Sequence, residues 1–175
     1  MRVTYDQIQN EVREISLLFG ESKEYVPGFF ENVRMVLLPL AIYFLFYFIC
    51  PFTDVFIMNI WLGGGVMSIF FWYFVAKFFY SFSLIFSMLP KGISEKYHVL
   101  KIVSGKARIY YVIWNCSIFI VGLISVFTFL NVLSLSILTV LSTIALAIAF
   151  NMDISRYQIS GLFGAFAAAK EKWNQ

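Results

Sequence analysis

The sequence predicts an all-α polytopic membrane protein, with four transmembrane helices arranged as two antiparallel hairpins and with amphipathic helices at both cytoplasmic ends. Hydrophobic residues make up 61% of the 175-residue chain and charged residues only 13%, whereas soluble domains average roughly 45–50% and 25%. The apolar residues fall into four long stretches. Short connections join these stretches in pairs, which is typical of helical hairpins.

Each of the four predicted spans holds at least 18 residues, which is enough for a helix to cross the roughly 30 Å hydrocarbon core of a bilayer. All are free of charge except the second, which contains Lys77. In chain order, the predicted spans are Met35–Phe52, a segment within Val55–Leu89, Tyr110–Leu133 and Leu135–Met152. The third and fourth spans are expected to be joined around Asn131–Ser136.

The distribution of basic residues predicts the orientation. Of the 13 Lys and Arg residues, all but Lys77 lie in three segments, namely residues 1–34, the basic loop 90–109 and residues 153–175. The two hairpin tips carry none. Basic loops remain on the cytoplasmic side of the membrane, so both termini and the central loop are predicted to be cytoplasmic.

Lys77 is predicted to anchor the second span at the inner membrane interface. If this span begins at Val55, Lys77 lies about 33 Å further along the helix, where its ammonium can reach the headgroups. The alternative begins the span after Gly63, Gly64 and Gly65 and places Lys77 near the bilayer centre. A charge there costs roughly 2.5–3.5 kcal/mol and indicates a transport or binding site.

The triple glycine at residues 63–65 also has two interpretations. Small residues let transmembrane helices approach closely, so we interpret these glycines as a packing patch. The alternative is a broken helix that lines an ion path. No second glycine cluster occurs in the third or fourth span, which favours the packing interpretation.

The N-terminal segment is predicted to contain an amphipathic helix that ends near Gly20. Acidic residues outnumber basic ones in residues 1–34, which disfavours a helix lying on anionic lipid. The helix is therefore expected to pack on another part of the protein or on a partner. The polar residues that could make such contacts are Asp6, Glu11, Arg13 and Glu14.

The C-terminal segment 153–175 carries a stripe of small residues, against which the N-terminal helix is expected to dock. In the alternative, this segment lies along the membrane surface, anchored by Trp173. Asp153 and Arg156 are three residues apart and could pair on a helix. The small residues of the stripe are Gly161, Gly164, Ala165 and Ala168.

Two isolated residues have simple interpretations. Pro39 is expected in the first turn of a span that begins near Val36, where it would form an entry bend; a helix beginning near Phe29 would instead be kinked at the proline. His98 is interpreted as a surface residue of the central loop.

The sequence predicts a non-enzymatic protein that binds a partner protein and needs no cofactor or metal. It contains no Ser/His/Asp set, no HExxH, no CxxC and no phosphate-binding glycine loop. The basic loop follows from the topology, so nucleic-acid binding is not expected. The packing patches permit a homo-oligomer. Further candidate contacts in the loop and the tail are Lys91, Lys96, Lys101, Arg156 and Lys170.

The overall organisation resembles the entry-exclusion proteins (TraS type) of F-like conjugative plasmids. The features that carry the resemblance are the chain length, the polar N-terminal helix, four Phe-rich spans with short outer connections and the tail "DISRYQISGLFGAFAAAKEKW". The resemblance implies a bacterial inner-membrane protein that blocks redundant plasmid transfer by recognising the donor's mating-pair-stabilisation protein (TraG type). The residues themselves leave open an immunity protein against a pore-forming toxin and a small transporter or channel.

Overall fold

The computed structural model describes residues 5–21, 29–53, 56–87, 96–128 and 130–155. Within these ranges every regular element is helical. The helices are α1 (Tyr5–Glu21), α2 (Phe29–Ile49), a short 3-10 turn (Cys50–Phe52), α3 (Met58–Ser87), α4 (His98–Phe127) and α5 (Val132–Ser155). Helices α2 to α5 are each long and apolar enough to cross a membrane. The prediction of an all-α, four-span protein is confirmed.

Helix boundaries around the third span differ from the prediction. Helix α4 begins at His98, so part of the predicted loop 90–109 is helical. It ends at Phe127, so the expected continuation of this span to Leu133 is wrong. The turn precedes Val132, which is the first residue of α5. A continuous apolar run conceals this turn, because composition alone does not mark where the chain reverses.

Pro39 lies inside α2, because this helix begins at Phe29. The expectation of a proline in the first turn is therefore wrong. Proline has no N–H, so the carbonyl of Met35, four residues earlier, lacks its helical donor. The hydroxyl of Tyr111 in α4 donates to this carbonyl at 2.8 Å. The bond satisfies a backbone group that would be costly to leave unpaired in hydrocarbon.

The chain divides into two compact units. We call Gly28–Ser81 with Tyr110–Ala147 the spanning unit, because it contains most of the apolar length of α2 to α5. We call Met1–Pro27, Phe82–Ile109 and Ile148–Gln175 the terminal unit, because it contains both ends of the chain.

The core of the spanning unit is largely aromatic. Tyr43 and Trp72 are buried, and their ring centroids lie 5.6 Å apart. Trp114 lies 6.0 Å from Trp72 and stacks on Phe79 at 5.3 Å. Aromatic pairs in such geometries add stability beyond the area that they bury, so rings from α2, α3 and α4 hold these helices together.

The contacts within each pair of helices show that both pairs are antiparallel. Tyr47 stacks on Trp61 near the connection between α2 and α3. Tyr43, one turn earlier in α2, contacts Trp72, which lies later in α3. In the second pair, Thr128 contacts Ser134 close to the turn, and Trp114, earlier in α4, contacts Thr143, later in α5. Asn131 has a left-handed φ of 43°, and its amide donates to Thr53 Oγ1 at 2.5 Å. This bond joins the tips of the two hairpins.

Candidate functional site

Helix α1 contacts the beginning of α4 through two carboxylates. Glu11 Oε2 accepts a hydrogen bond from the backbone N–H of Val99 at 2.9 Å. Its other oxygen lies 3.4 Å from His98 Nδ1. Glu14 accepts a bond from the Tyr97 hydroxyl at 3.1 Å. These contacts hold the polar side of α1 against the first turn of α4.

The first turn of α4 needs acceptors because the initial N–H groups of a helix have no partners within it. The carbonyl of Tyr97 accepts the first helical bond, from Lys101 N–H at 3.1 Å, so Tyr97 occupies the N-cap position. A tyrosine side chain cannot fold back to cap, as Ser or Asp does. Glu11 supplies the missing acceptor from α1, and its charge also complements the positive end of the helix.

Tyr97 acts as a hydrogen-bond donor within this arrangement. Its side chain is buried, and burial raises the pKa of its hydroxyl; the bond to Glu14 and the charges of Glu14 and Glu11 raise the pKa further. An ionised phenol would lie beside two carboxylates. Tyr97 therefore remains protonated at neutral pH and can donate to Glu14.

The predicted polar face of α1 has a double use. Glu11 is mostly enclosed, with 19% of its side chain exposed, so its contacts lie within the terminal unit. Arg13 and Glu14 are exposed, although Glu14 also accepts the hydrogen bond from Tyr97. Asp6 lies in α1, but its side chain is outside the described residues. The interpretation of His98 as a surface residue overlooked its contact with Glu11.

The described candidates in the central segment are both exposed. Lys96 lies over the ring of Tyr97, with Nζ 5.5 Å from the ring centroid. Lys101 belongs to the first turns of α4 and is exposed. The candidates that lie outside the described residues, and stay predictions, are Lys91, Arg156, Gly161, Gly164, Ala165, Ala168, Lys170 and Trp173.

Asp153 forms an ion pair with Lys106 of α4, at 2.5 Å. The sequence suggested Arg156 as its partner, and that residue lies outside the described part of the chain. Both members of the observed pair are one-quarter exposed. The pair joins the first turns of α4 to the last turns of α5, a contact that local helical spacing could not reveal.

The spanning unit contains a chain of hydroxyl groups whose direction can be deduced. Ser68 donates to the carbonyl of Gly64 at 2.6 Å, so it accepts from Tyr43, whose hydroxyl lies 2.5 Å away. Ser136 then donates to the Tyr43 oxygen at 3.1 Å. The chain joins α5, α2 and α3 using neutral groups alone.

Three further hydrogen bonds join helices of the spanning unit. The Tyr47 hydroxyl donates to the carbonyl of Trp61 at 2.7 Å, and the Trp61 indole donates to the carbonyl of Tyr47 at 3.2 Å. Trp114 in α4 donates to Thr143 in α5 at 2.9 Å. Each of these aromatic side chains therefore packs against a neighbouring ring and also forms a hydrogen bond. This suits an apolar environment, where unpaired polar groups are costly.

The glycines of α3 differ in their surroundings. A Cβ at Gly64 would lie 2.8 Å from Val132, and one at Gly65 would collide with the Tyr47 hydroxyl. A Cβ at Gly63 would meet nothing within 4 Å. The sequence reading missed Gly122 of α4, where a Cβ would collide with the ring of Phe46. An isolated glycine gave no signal of close packing.

Lys77 is an exposed residue of α3. This helix begins at Met58 and continues without interruption through the glycines. Lys77 lies about 28 Å along the helix from Met58, close to the thickness of a hydrocarbon core. Its role as an interfacial anchor stays a prediction.

Four spanning helices define the chain as a multi-pass membrane protein. Among the described residues, His, Cys, Asp and Glu side chains form no group of three that could hold a metal ion. In comparisons with known proteins, no family model, no curated protein and no solved structure matches the chain.

Proposed function

We propose that this chain is a non-enzymatic protein of a bacterial inner membrane that recognises a partner protein through its terminal unit. Following the family resemblance, its function is conjugative entry exclusion. The partner is the mating-pair-stabilisation protein (TraG type) of an incoming donor, and recognition blocks redundant plasmid transfer. Both termini lie in the cytoplasm, so the partner must reach that side of the membrane or the adjoining bilayer.

The observation that carries this proposal is that α1, the beginning of α4 and the end of α5 fall in one compact unit. Exposed side chains of both signs, Arg13, Glu14 and Lys96, lie on its described part. Mixed charges favour specificity because a wrong partner brings like charges together. A partner that matches this pattern would be distinguished from its relatives.

The outer connections offer much less surface. Between α2 and α3 the chain has eight residues, and between α4 and α5 it has four. A specific interface uses about 800 Å² per partner, or roughly 20–30 residues. The terminal unit is therefore the better candidate for recognition.

The interior of the spanning unit supports binding over transport. Tyr43, Trp72, Trp114 and Phe79 fill it with rings in direct contact, and several of its hydroxyl groups form hydrogen bonds between helices. A conducting path would need a water-filled lining with groups that replace hydration. Because the rings pack the interior of the spanning unit, the charged surface of the terminal unit is the better candidate for the functional surface.

Mating into recipient cells that express only this chain tests the proposal. We expect fewer transconjugants with a matching donor and normal numbers with an unrelated donor. Exchanging residues 1–34 or 153–175 for those of an exclusion protein of different specificity should change which donor is excluded. Lys96→Glu should weaken exclusion, whereas Tyr73→Phe, at an exposed site of the spanning unit, should not.

Two results would contradict the proposal. Unchanged donor specificity after both exchanges would remove the terminal unit as the recognition surface. Normal mating together with protection from a pore-forming toxin would replace exclusion by immunity. Immunoblots of the membrane fraction must show equal amounts of each variant.

A further inference from the structure

Helix α4 has one exposed face that continues along its whole length. Residues three or four apart along this face are exposed at every turn, as expected for one side of an α-helix. The face includes, from the start of the helix, Lys101, Ser104, Gly105, Arg108, Ile109, Val112, Cys116, Phe119, Leu123 and Phe127. Its first part is basic and the remainder is apolar.

The length of the apolar part of this face determines where its basic part lies in a membrane. From Ile109 to Phe127 the helix rises about 27 Å, close to the roughly 30 Å thickness of a hydrocarbon core. When this apolar part lies in the core, Lys101 and Arg108 lie at the level of the lipid headgroups. The same helix therefore presents its cations where lipid phosphates are found.

Lys101 and Arg108 are separated by seven residues, so they lie on the same side of the helix about 10 Å apart along its axis. Gly105 lies between them, and a Cβ there would meet nothing within 4 Å. The gap gives room for a bulky group between the two cations. The Ser104 hydroxyl beside it is bonded to the carbonyl of Lys101 at 3.1 Å.

These two cations differ from Lys106 on the same helix. Lys106 points about 140° away from Lys101 and is paired with Asp153. Within the described part of the chain, Lys101 and Arg108 form no ion pair with a carboxylate. Two exposed cations beside a lipid-facing apolar surface are complementary to an anionic lipid.

We propose that Lys101, Gly105 and Arg108 form a binding site for the phosphate of an anionic phospholipid. The two cations contact the headgroup, and the acyl chains follow the apolar face from Ile109 to Val112 and beyond. Phosphatidylglycerol fits this chemistry, whereas the net charge of phosphatidylcholine is zero. Lipid bound at this site orients α4 at the membrane surface. Lys101 then contacts lipid and not a protein partner.

Native mass spectrometry of the full chain in detergent tests the site, with phosphatidylglycerol, phosphatidylcholine and inorganic phosphate as probes. We expect phosphatidylglycerol to bind at concentrations where the other two do not. Each basic residue near an anionic surface contributes about fivefold to affinity, so Lys101→Gln combined with Arg108→Gln should weaken binding by on the order of tenfold or more. Lys96→Gln removes the same charge outside this face and should leave binding unchanged.

Gly105→Leu provides a variant that fills the gap without changing charge. It should also weaken binding of phosphatidylglycerol, and it keeps α4 intact because leucine favours a helix more than glycine does. The site is overturned if both the double variant and Gly105→Leu bind phosphatidylglycerol like the unaltered chain. Equal binding of phosphatidylcholine would also overturn it, and equal binding of inorganic phosphate would indicate a free-anion site instead.

Discussion

The two units of this protein use different chemistry to hold their helices together. In the spanning unit, the helix contacts are made by hydroxyls, indoles and ring faces, as in the chain from Ser136 through Tyr43 to Ser68. In the terminal unit, the polar contacts between helices include charged groups, as in the contact of Glu11 with Val99 and the pair of Lys106 with Asp153.

The difference is the one expected if the spanning unit lies in hydrocarbon and the terminal unit lies in water. A charge in hydrocarbon costs several kcal/mol, whereas a neutral hydrogen bond between transmembrane helices contributes about 0.6 kcal/mol on average. Charged contacts outside the membrane are screened by salt. The spanning unit should therefore respond to changes in packing and the terminal unit to changes in ionic conditions.

The largest effect is expected from glycines that lie against aromatic rings. Gly122→Ala places a methyl group on the buried ring of Phe46, and overpacking of this kind costs about 1–3 kcal/mol. Gly63→Ala is the matched control, since its methyl group meets nothing and alanine favours the helix. Denaturation in detergent should show a lower stability for the first variant and no loss for the second. Equal loss in both would contradict the packing at Gly122.

Removal of the central hydroxyl should have the next largest effect. Tyr43→Phe deletes both bonds of this group, to Ser68 and Ser136, and should cost about 1–2 kcal/mol. Tyr73→Phe removes the same atom from an exposed position and should change stability by less than about 0.5 kcal/mol. The same unfolding assay compares them, and equal stabilities would show that the hydroxyl chain contributes little.

The bond that compensates for Pro39 should appear as a coupling between two sites. Tyr111→Phe leaves the Met35 carbonyl without a donor and should cost about 1 kcal/mol. In a chain with Pro39→Ala the helix supplies its own N–H to this carbonyl, so the same change should cost less. A double-mutant cycle measures the difference, for which we expect roughly 0.5 kcal/mol or more. A coupling of zero would mean that Tyr111 does not replace the missing donor.

A substitution in the terminal unit should have the smallest effect on the stability of the whole chain. Only the contacts of this unit should depend strongly on salt. Glu11→Ala removes the acceptor at the start of α4 and should cost about 1 kcal/mol locally. Hydrogen exchange at the Val99 amide should become faster, and Asn10→Ala, at an exposed site of α1, should leave it unchanged. High salt should accelerate exchange in the unaltered chain at Val99 and leave the core of the spanning unit as it was. A salt effect of the same size in both units would contradict the comparison.

Composition and periodicity predicted the four spans and the helical class, because an apolar stretch must form its backbone bonds internally when it crosses a bilayer. They did not predict the early start of α4 at His98 or the turn before Val132. At the first position the acceptor comes from Glu11, 88 residues away. At the turn before Val132, the sequence is apolar on both sides, so its composition does not mark the turn.

The candidate residues were only partly predictable for the same reason. Glu11, Arg13 and Glu14 were chosen as a polar face, but the sequence could not show that Glu11 contacts α4. The glycine cluster drew attention to Gly63, which faces open space, while the isolated Gly122 lies against a ring. Close approach depends on the neighbouring helix, and no local pattern encodes which residue that helix presents.

The location of the two units relative to the membrane can be measured directly by labelling single cysteines with a maleimide that does not cross membranes. In a chain with both native cysteines replaced, we place one cysteine at Asn10, in α1, or at Phe52, beyond α2, both of which are exposed. In intact spheroplasts, we expect labelling of Phe52→Cys, and we expect labelling of Asn10→Cys only after the membrane is broken. Labelling of Asn10→Cys in intact cells would place the terminal unit outside and contradict the proposed recognition surface.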